Sequence, residues 1–278
     1  MSEWQAIVDA VVADVLKKFA GAGLRPEDLA VSGMDLGGEP RTAGHYRGEV
    51  AFYPASVIKL FYLAAAHRWL EDGRVADTPE LQRALRDMMV DSSNEATGYV
   101  VDVLTETTSG PELTPEELAR WREKRTAVTR YFHSLGYPEV EASFKTWNDG
   151  PYGRDQQAAN QFTPARNQLT TAATVRLLVE MAEGRCVSEE RSRHMLALMK
   201  RDLADPAGHD PQAQEFIGRG LPASAKLWSK AGDTSRVRHD AGMVELATGR
   251  RFVLVIFTNR PDVREVIPEL ARQMVSRV

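Results

Sequence analysis

Residues 56–70 read SVIKLFYLAAAHRWL, and this segment does most to decide the fold. Apolar side chains occupy nearly every turn, as expected for a helix that is buried on all sides. At its beginning stand Ser56 and Lys59, three positions apart and therefore on one face of the helix. The segment predicts a core helix that carries chemistry at its amino-terminal end.

The pair Ser56 and Lys59 has a catalytic and a structural interpretation. A serine hydroxyl is a weak nucleophile until a base removes its proton, and a buried lysine can be that base when desolvation lowers its pKa. Backbone N–H groups at the helix N-terminus would also favour an oxyanion beside Ser56. The structural alternative is a lysine whose stem is buried and whose charge reaches the surface. No other serine has a lysine three positions on, and Lys59 interrupts an almost wholly apolar helix, which favours catalysis.

The periodicity of apolar residues predicts the order helix, two strands, a helical block, three strands and a helix. We expect a mixed α/β (α+β) fold with a five-stranded antiparallel sheet, flanked by helices, and an inserted all-helical block. The α/β domain would comprise 1–54 and 221–278, the helical domain 55–220, and the active site would lie at their interface. The helices are predicted at 3–19, 56–70, 79–90, 93–104, 114–135, 170–183, 188–201 and 262–276, and the strands at 29–36, 48–53, 225–230, 237–246 and 251–258.

The segment 147–168 departs from this periodicity and is rich in Asn, Asp, Gly, Pro and Gln. It predicts a long surface loop. Loops of that length without structure of their own are uncommon and often carry function.

Composition excludes several classes of function. The 278 residues carry a net charge of −4, which gives no electrostatic footprint for nucleic acid or an anionic membrane. No apolar run approaches the ~20 residues that span a bilayer. The first residues do not resemble a signal peptide, so we expect a cytoplasmic protein, or an exported one if a signal peptide has been removed. One cysteine cannot form an intrachain disulfide, and the histidines lack paired ligand spacing, so no metal or cofactor is expected.

Two further polar clusters follow along the chain. Ser92-Ser93-Asn94 comes after a predicted helix, and Lys230-Ala231-Gly232 closes a predicted strand. Each has an ordinary interpretation, the first as the N-cap of the next helix and the second as an edge-strand lysine before a turn glycine. Their order and structural setting, taken together with Ser56 and Lys59, indicate one shared site.

Ser56-Val57-Ile58-Lys59, Ser92-Ser93-Asn94 and Lys230-Ala231-Gly232 resemble the Ser-x-x-Lys, Ser-Asp-Asn and Lys-Thr-Gly motifs of class A β-lactamases and penicillin-binding proteins. The lead-in at 52–55 and the segment 238–242 also look like this family of serine hydrolases. The order of helices and strands matches over nearly the whole chain. The resemblance therefore implies a β-lactamase/DD-peptidase-like fold.

The resemblance also implies a role for each matching position. Ser56 would be acylated, and Lys59 would be its base or proton relay. Ser92 would pass the proton to the leaving group, and Lys230 would hold Ser92 and maintain the positive potential. The backbone N–H groups of Ser56 and Asp233 would form the oxyanion hole. Substrate would contact Asn94, Ala231, Gly232 and Arg238, and His239 would lie near the site.

Two departures from the family pattern argue against fast penicillin turnover. Class A β-lactamases activate the deacylating water with a glutamate in an omega-shaped loop, and the matching segment 147–168 contains no glutamate. Its carboxylates are Asp149 and Asp155. Ala231 replaces the Thr or Ser that helps to bind the substrate carboxylate, and Asp233 adds a negative charge nearby.

These features predict an active-site serine hydrolase that forms an acyl-enzyme on Ser56. Its substrate would be a small-molecule or peptide acyl compound (an ester, amide or peptide), with weak or no β-lactamase turnover. One alternative is a true β-lactamase or D-Ala-D-Ala peptidase with a variant omega loop. Another is a catalytically degenerate binding protein that keeps the pocket. The sequence leaves the oligomeric state open.

Overall fold

The computed structural model describes residues 2–38, 41–204 and 210–278. Its strands are β1 (Leu29–Asp35), β2 (Ala43–Tyr46), β3 (Lys200–Arg201), β4 (Lys226–Asp233), β5 (Arg238–Glu245) and β6 (Arg251–Thr258). Its helices are α1 (Glu3–Lys18), α2 (Lys59–Glu71), α3 (Pro79–Met89), α4 (Asn94–Thr105), α5 (Pro115–Arg125), α6 (Ala127–Ser134), α7 (Gly153–Gln161), α8 (Thr171–Ala182), α9 (Glu189–Met199), α10 (Pro211–Gln214) and α11 (Val266–Val275). The predicted mixed architecture with an antiparallel sheet is confirmed.

The strands within the described ranges form one antiparallel sheet in the order β2-β1-β6-β5-β4-β3. The sheet has six strands, so the prediction of five was wrong, because the two-residue strand β3 extends the edge beside β4. The second strand was also misplaced: β2 lies at 43–46, whereas 48–53 contributes an isolated bridge from Phe52 to Leu169.

Successive side chains of β6 point to opposite faces of the sheet, so the strand contributes to a hydrophobic core on each face. Phe252, Leu254 and Ile256 pack with α1 and α11 on one face. Val253, Val255 and Phe257 pack with α2, α8 and other helices on the opposite face. Because the helical block and the sheet share this second core, the division into 1–54 with 221–278 and 55–220 stays a prediction.

α2 is the central helix of the second core, and every residue from Lys59 to His67 is buried. Its all-round burial was predicted, but its first turn differs from the prediction. Residues 55–58 form a 3₁₀ turn, and the α-helix begins at Lys59. Side chains three positions apart line up in 3₁₀ geometry, so this turn aligns Ser56 with Lys59.

The segment 141–168 is more ordered than the predicted loop. It contains α7, and backbone hydrogen bonds between Glu141 and Gln168 close its two ends. The predicted helix 114–135 is two helices, α5 and α6, divided at Thr126. A small third apolar cluster holds α7 against α5; it comprises Leu118, Trp121, Ala158 and Phe162.

No helix in the described part of the chain combines the length and the apolar character needed to cross a bilayer.

Candidate active site

Ser56 is half-buried in the 3₁₀ turn, where β4 passes close to the backbone. A Cβ added to Gly232 would lie 2.8 Å from the carbonyl oxygen of Pro54 and 3.0 Å from the backbone nitrogen of Ser56. Glycine is therefore required for this approach. The preceding residue, Ala55, has a left-handed backbone with φ 46°, a strained conformation for alanine. The first and third motifs thus meet at Ser56.

Lys59 joins the first motif to the second. Its fully buried ammonium donates hydrogen bonds to the carbonyl oxygen of Ser92 at 2.6 Å, the Ser92 hydroxyl at 3.2 Å and Asn94 Oδ1 at 3.0 Å. The Ser56 hydroxyl is not among these acceptors. Since the charged end of Lys59 lies inside the protein, the interpretation as a surface-reaching lysine is wrong.

Burial lowers the pKa of Lys59 to about 7, and the nearby carboxylate of Glu95 opposes this shift. Removing an ammonium from water penalises its charged form, which is the physical cause. A lysine with this pKa has a large neutral fraction at neutral pH. The environment of Lys59 is therefore suited to a group that accepts and returns a proton.

The residues of the second motif, Ser92-Ser93-Asn94, have two functions: one caps α4, and two contact Lys59. The Ser93 hydroxyl is the N-cap of α4 and accepts a hydrogen bond from the Ala96 amide at 3.1 Å. Ser92 has a left-handed backbone with φ 55°, and it faces Lys59 together with Asn94. The N-cap interpretation is thus confirmed for Ser93 and does not account for its two neighbours.

Asn94 also holds the 141–168 segment beside the site. Its amide donates to Asn148 Oδ1 at 2.7 Å, and the Asn148 amide donates to Glu95 at 3.2 Å. Asn148 was not singled out from the sequence. An asparagine in a loop gives no signal of this contact, since the contact depends on how the loop folds back.

Lys230 is fully buried, and its ammonium donates to Gln212 Oε1 at 2.6 Å and to the carbonyl oxygen of Ala231 at 2.8 Å. Neither acceptor belongs to Ser92, so the expectation that Lys230 holds Ser92 is not met by a direct hydrogen bond. Burial holds the pKa of Lys230 well below its usual range, and the positive charge of Lys59 adds to this effect. The two lysines therefore lie close enough for Lys59 to affect the pKa of Lys230.

Gln212 is the partner that sequence analysis missed. Its side-chain oxygen also accepts from the Ala231 amide at 3.0 Å, and its side-chain nitrogen donates to the Val90 carbonyl at 2.9 Å. This glutamine connects the strand of the third motif to the end of α3, two residues before Ser92. It lies in a four-residue helix whose sequence gives no functional signal.

Arg238 is buried beneath the oxyanion-hole candidate Asp233 and does not point to a substrate site. Its guanidinium pairs with Asp233 at 2.6 Å and with Glu215 at 3.3 Å, and it stacks 3.9 Å from the Phe216 ring centre. Because its guanidinium is buried and engaged by these two carboxylates, the expectation of a direct substrate contact for Arg238 is not supported. Burial raises the pKa of Asp233, and Arg238 opposes that rise.

His239 contacts the segment that leads into Ser56. One ring nitrogen lies 2.9 Å from the carbonyl oxygen of Tyr53, and the other accepts from the Thr258 amide at 3.1 Å. Burial lowers the pKa of His239 to about 4, so the ring is neutral at neutral pH and donates to Tyr53. The role of His239 is to tie Tyr53 to β6.

A cleft of about 560 Å³ lies beside the site, between the 141–168 segment and the β4–β5 turn. Asp155 lines the cleft, but its carboxylate pairs with the buried Arg125 at 3.3 Å. The other carboxylate of the predicted loop, Asp149, is exposed. Neither carboxylate accepts a hydrogen bond from Lys59, whose acceptors belong to Ser92 and Asn94.

Across the ranges that the structure describes, no group of three or more His, Cys, Asp or Glu side chains is arranged to hold a metal ion.

The sequence was compared with models of known protein families. The family model described as "Beta-lactamase enzyme family" matches residues 70–278, so the match begins after Ser56 and Lys59. No curated protein matches the sequence.

Solved structures with the same fold cover nearly the whole chain. A β-lactamase from Sphaerobacter thermophilus is 19% identical with a TM-score of 0.69, covering 96% of this chain and 95% of its own. A β-lactamase from Chitinophaga pinensis is 18% identical with a TM-score of 0.67, covering 96% and 98%. A mutant of PBP-A, solved as an acyl-enzyme complex with penicillin G, is 19% identical with a TM-score of 0.66, covering 95% and 96%.

These structures share the fold, and the family model matches most of the sequence. The chain belongs to the beta-lactamase enzyme family.

Proposed function

We propose that the protein is an acyl-serine hydrolase with Ser56 as its nucleophile. The Ser56 oxygen bonds to the acyl carbon of the substrate while its proton passes to Lys59. The bond to the leaving group then breaks, and the leaving group takes a proton from Lys59 through the Ser92 hydroxyl. Water finally hydrolyses the ester on Ser56, which releases the acid and restores the hydroxyl.

The observation that carries this proposal is the environment of Lys59. A fully buried lysine whose pKa is about 7 lies one 3₁₀ turn from Ser56 and donates to Ser92. A general base works best when its pKa is close to the working pH. A protein that only bound its ligand would not need a nucleophile, a base and a second serine together.

We propose an oxyanion hole made by the backbone N–H groups of Ser56 and Asp233. The close approach of Gly232 to the Ser56 nitrogen supports this assignment, because it puts the two segments side by side. Two fixed N–H groups aimed at the developing oxyanion would stabilise the tetrahedral intermediate. Asn94, Ala231 and Gly232 would line the path of the substrate.

We propose esters, amides or peptides as substrates, with weak or no β-lactam turnover. The ion pair of Asp155 with Arg125 and the exposure of Asp149 support weak turnover, since neither carboxylate is hydrogen-bonded to Lys59. The second candidate is a penicillin-binding enzyme that acylates and deacylates slowly. The likeness to PBP-A, whose mutant was solved as a penicillin G acyl-enzyme, favours keeping it.

Covalent labelling tests the proposal. Wild type, Ser56→Ala and the control Ser134→Ala, an exposed serine far along the chain, are treated with an activated p-nitrophenyl ester and with a fluorophosphonate. Intact-protein mass spectrometry should show one adduct on wild type and the control and none on Ser56→Ala. The thermal midpoint should stay nearly unchanged, because the hydroxyl contributes little packing. Equal labelling of Ser56→Ala would remove Ser56 from the mechanism.

A further inference from the structure

We infer that the cleft beside Ser56 selects acyl groups that combine an apolar body with an anionic group, with Arg166 and Arg236 as the contacts for that anion. This inference rests on the proposed function, since it concerns the acyl group that Ser56 would carry. It names a substrate class for the site.

The lining of the cleft includes residues that are close in sequence to Ser56 and Gly232. Tyr53, three residues before Ser56, forms part of its lining, and so does Thr234, two residues after Gly232. Because Gly232 closely approaches the Ser56 backbone, both segments lead from the nucleophile into the same space. An acyl chain attached to Ser56 therefore has this cleft as its neighbour, and about 560 Å³ is the size of a small-molecule site.

The lining of the cleft suits an apolar acyl body. Four aromatic side chains contribute to it: Tyr53, Trp121, Phe144 and Trp147. Aromatic surfaces of this kind desolvate hydrocarbon and stack on rings. The selection of the body of the substrate would therefore be by shape and apolar contact.

The charges that line the cleft fall into two groups. Lys145 pairs with Asp102 at 2.6 Å, and Asp155 pairs with Arg125 at 3.3 Å, so these charges are compensated inside the protein. Arg166 and Arg236 are exposed and, within the described residues, neither guanidinium has an ion pair or a hydrogen-bond acceptor. The Arg166 guanidinium lies 5.6 Å from the Tyr53 ring centre.

The nearby Arg238 differs from Arg166 and Arg236 because its charge is already paired inside the protein. It is buried and bound by two carboxylates, and one of these, Asp233, is the acidic group that would otherwise repel an anionic ligand. Arg166 and Arg236 thus remain as the positive charges of the cleft that are available to a ligand. A guanidinium offers paired N–H donors that match a carboxylate.

Two esters with the same leaving group separate this inference from the proposed function. One is the p-nitrophenyl monoester of adipic acid, whose far carboxylate is free, and the other is its ω-methyl ester, which is neutral and nearly the same length. The readout is the ratio of their second-order rate constants for acylation, with the adduct on Ser56 verified by mass spectrometry. We expect wild type to favour the anionic ester by about ten-fold.

The variants are Arg166→Gln, Arg236→Gln, the double variant, and Arg236→Glu. Arg193→Gln is the matched control, because Arg193 is exposed on α9, outside the cleft, and makes no ion pair within the described residues. Each single Gln variant should lower the ratio about three-fold, the double variant should bring it close to one, and Arg236→Glu should invert it. The control should leave the ratio unchanged, and added salt should lower it in wild type.

The outcomes are distinguishable. A wild-type ratio near one, or a double variant that keeps the wild-type ratio, overturns the inference while labelling of Ser56 leaves the proposed function standing. An equal fall in the control would show a general effect of net charge, which also overturns it. If neither ester acylates Ser56, the proposed function fails and the inference fails with it.

Discussion

The ammonium of Lys59 contacts Ser92 twice, at its carbonyl oxygen (2.6 Å) and at its hydroxyl (3.2 Å). The carbonyl contact fixes the lysine in position. The hydroxyl contact gives a proton on Lys59 a direct route to a second serine. In the proposed mechanism, acylation and protonation of the leaving group would be coupled through this one buried side chain, and this coupling leads to the first two predictions.

The rate of acylation should rise with pH through about 7. Burial lowers the pKa of Lys59 to about 7, so increasing pH through this value converts the ammonium to the neutral base. The second-order rate constant should be small at about pH 5 and level above about pH 8. Stopped-flow release of p-nitrophenolate, followed at its isosbestic wavelength, measures this profile. A profile without an inflection would show that Lys59 is not the base.

Lys59→Ala should slow acylation far more than Lys230→Ala. The first variant removes the general base, a loss of about 10²–10⁴ in rate. The second removes a side chain that is bound to Gln212 and Ala231 and makes no hydrogen bond to Ser92, so we expect about a ten-fold loss. Single-turnover acylation rates decide the order. Lys59→Met keeps most of the buried volume and should behave like Lys59→Ala; the reverse order of the two lysines would assign the base to Lys230.

Gly232→Ala should abolish most acylation by displacing the nucleophile. An added Cβ would lie 2.8 Å from the Pro54 carbonyl oxygen and 3.0 Å from the Ser56 nitrogen, so backbone must shift. Displacements of about 1 Å typically cost about 10² in rate. Gly21→Ala is the control, because a Cβ there meets nothing within 4 Å. Circular dichroism checks that both variants fold, and full activity of Gly232→Ala would contradict the proposed placement of Ser56.

A chromogenic cephalosporin should leave a lasting adduct on Ser56, while p-nitrophenyl esters should turn over. Of the two carboxylates in 147–168, Asp155 is paired with Arg125 and Asp149 is exposed, so we expect the hydrolytic water to lack a loop base. General-base assistance is worth about 10²–10⁴ in rate, which sets the expected lifetime of the adduct.

Steady-state kinetics and mass spectrometry on one preparation measure both substrates. Cephalosporin hydrolysis with kcat/KM of ~10⁶ M⁻¹s⁻¹ or more would show that another residue activates the water.

The residues that could be predicted from the sequence are those whose chemistry is unusual for their setting. Lys59 in an apolar helix is one, and its contact with Ser92 and Asn94 agrees with the grouping of the motifs. Gln212 could not be found, because a glutamine in a short polar segment gains its meaning from the buried Lys230 opposite it. The expectation that Arg238 contacts substrate also depended on a partner outside the motif. Its guanidinium pairs with Glu215, which the motif does not contain.

The errors in the fold have a similar cause. β2 has the sequence Ala-Gly-His-Tyr, which has little β propensity, and it forms because Gly44 lets the strand pack directly against the backbone of Trp4 in α1. α7 buries only Asp155 and Ala158, so it has no apolar stripe by which to recognise a helix. Elements with strong patterns were predicted well: β6 has the predicted bounds, and α2 differs from the prediction mainly in its first turn.

The small apolar cluster between α5 and α7 is distinct from the two large cores. Leu118, Trp121, Ala158 and Phe162 pack among themselves and belong to neither of the two large cores. We therefore expect substitutions in this cluster to destabilise the packing of α7 on α5 more than the core around Ser56 and Lys59. Substitutions in this segment could then change substrate specificity while the fold is kept. We therefore expect proteins with this fold to differ in substrate specificity here.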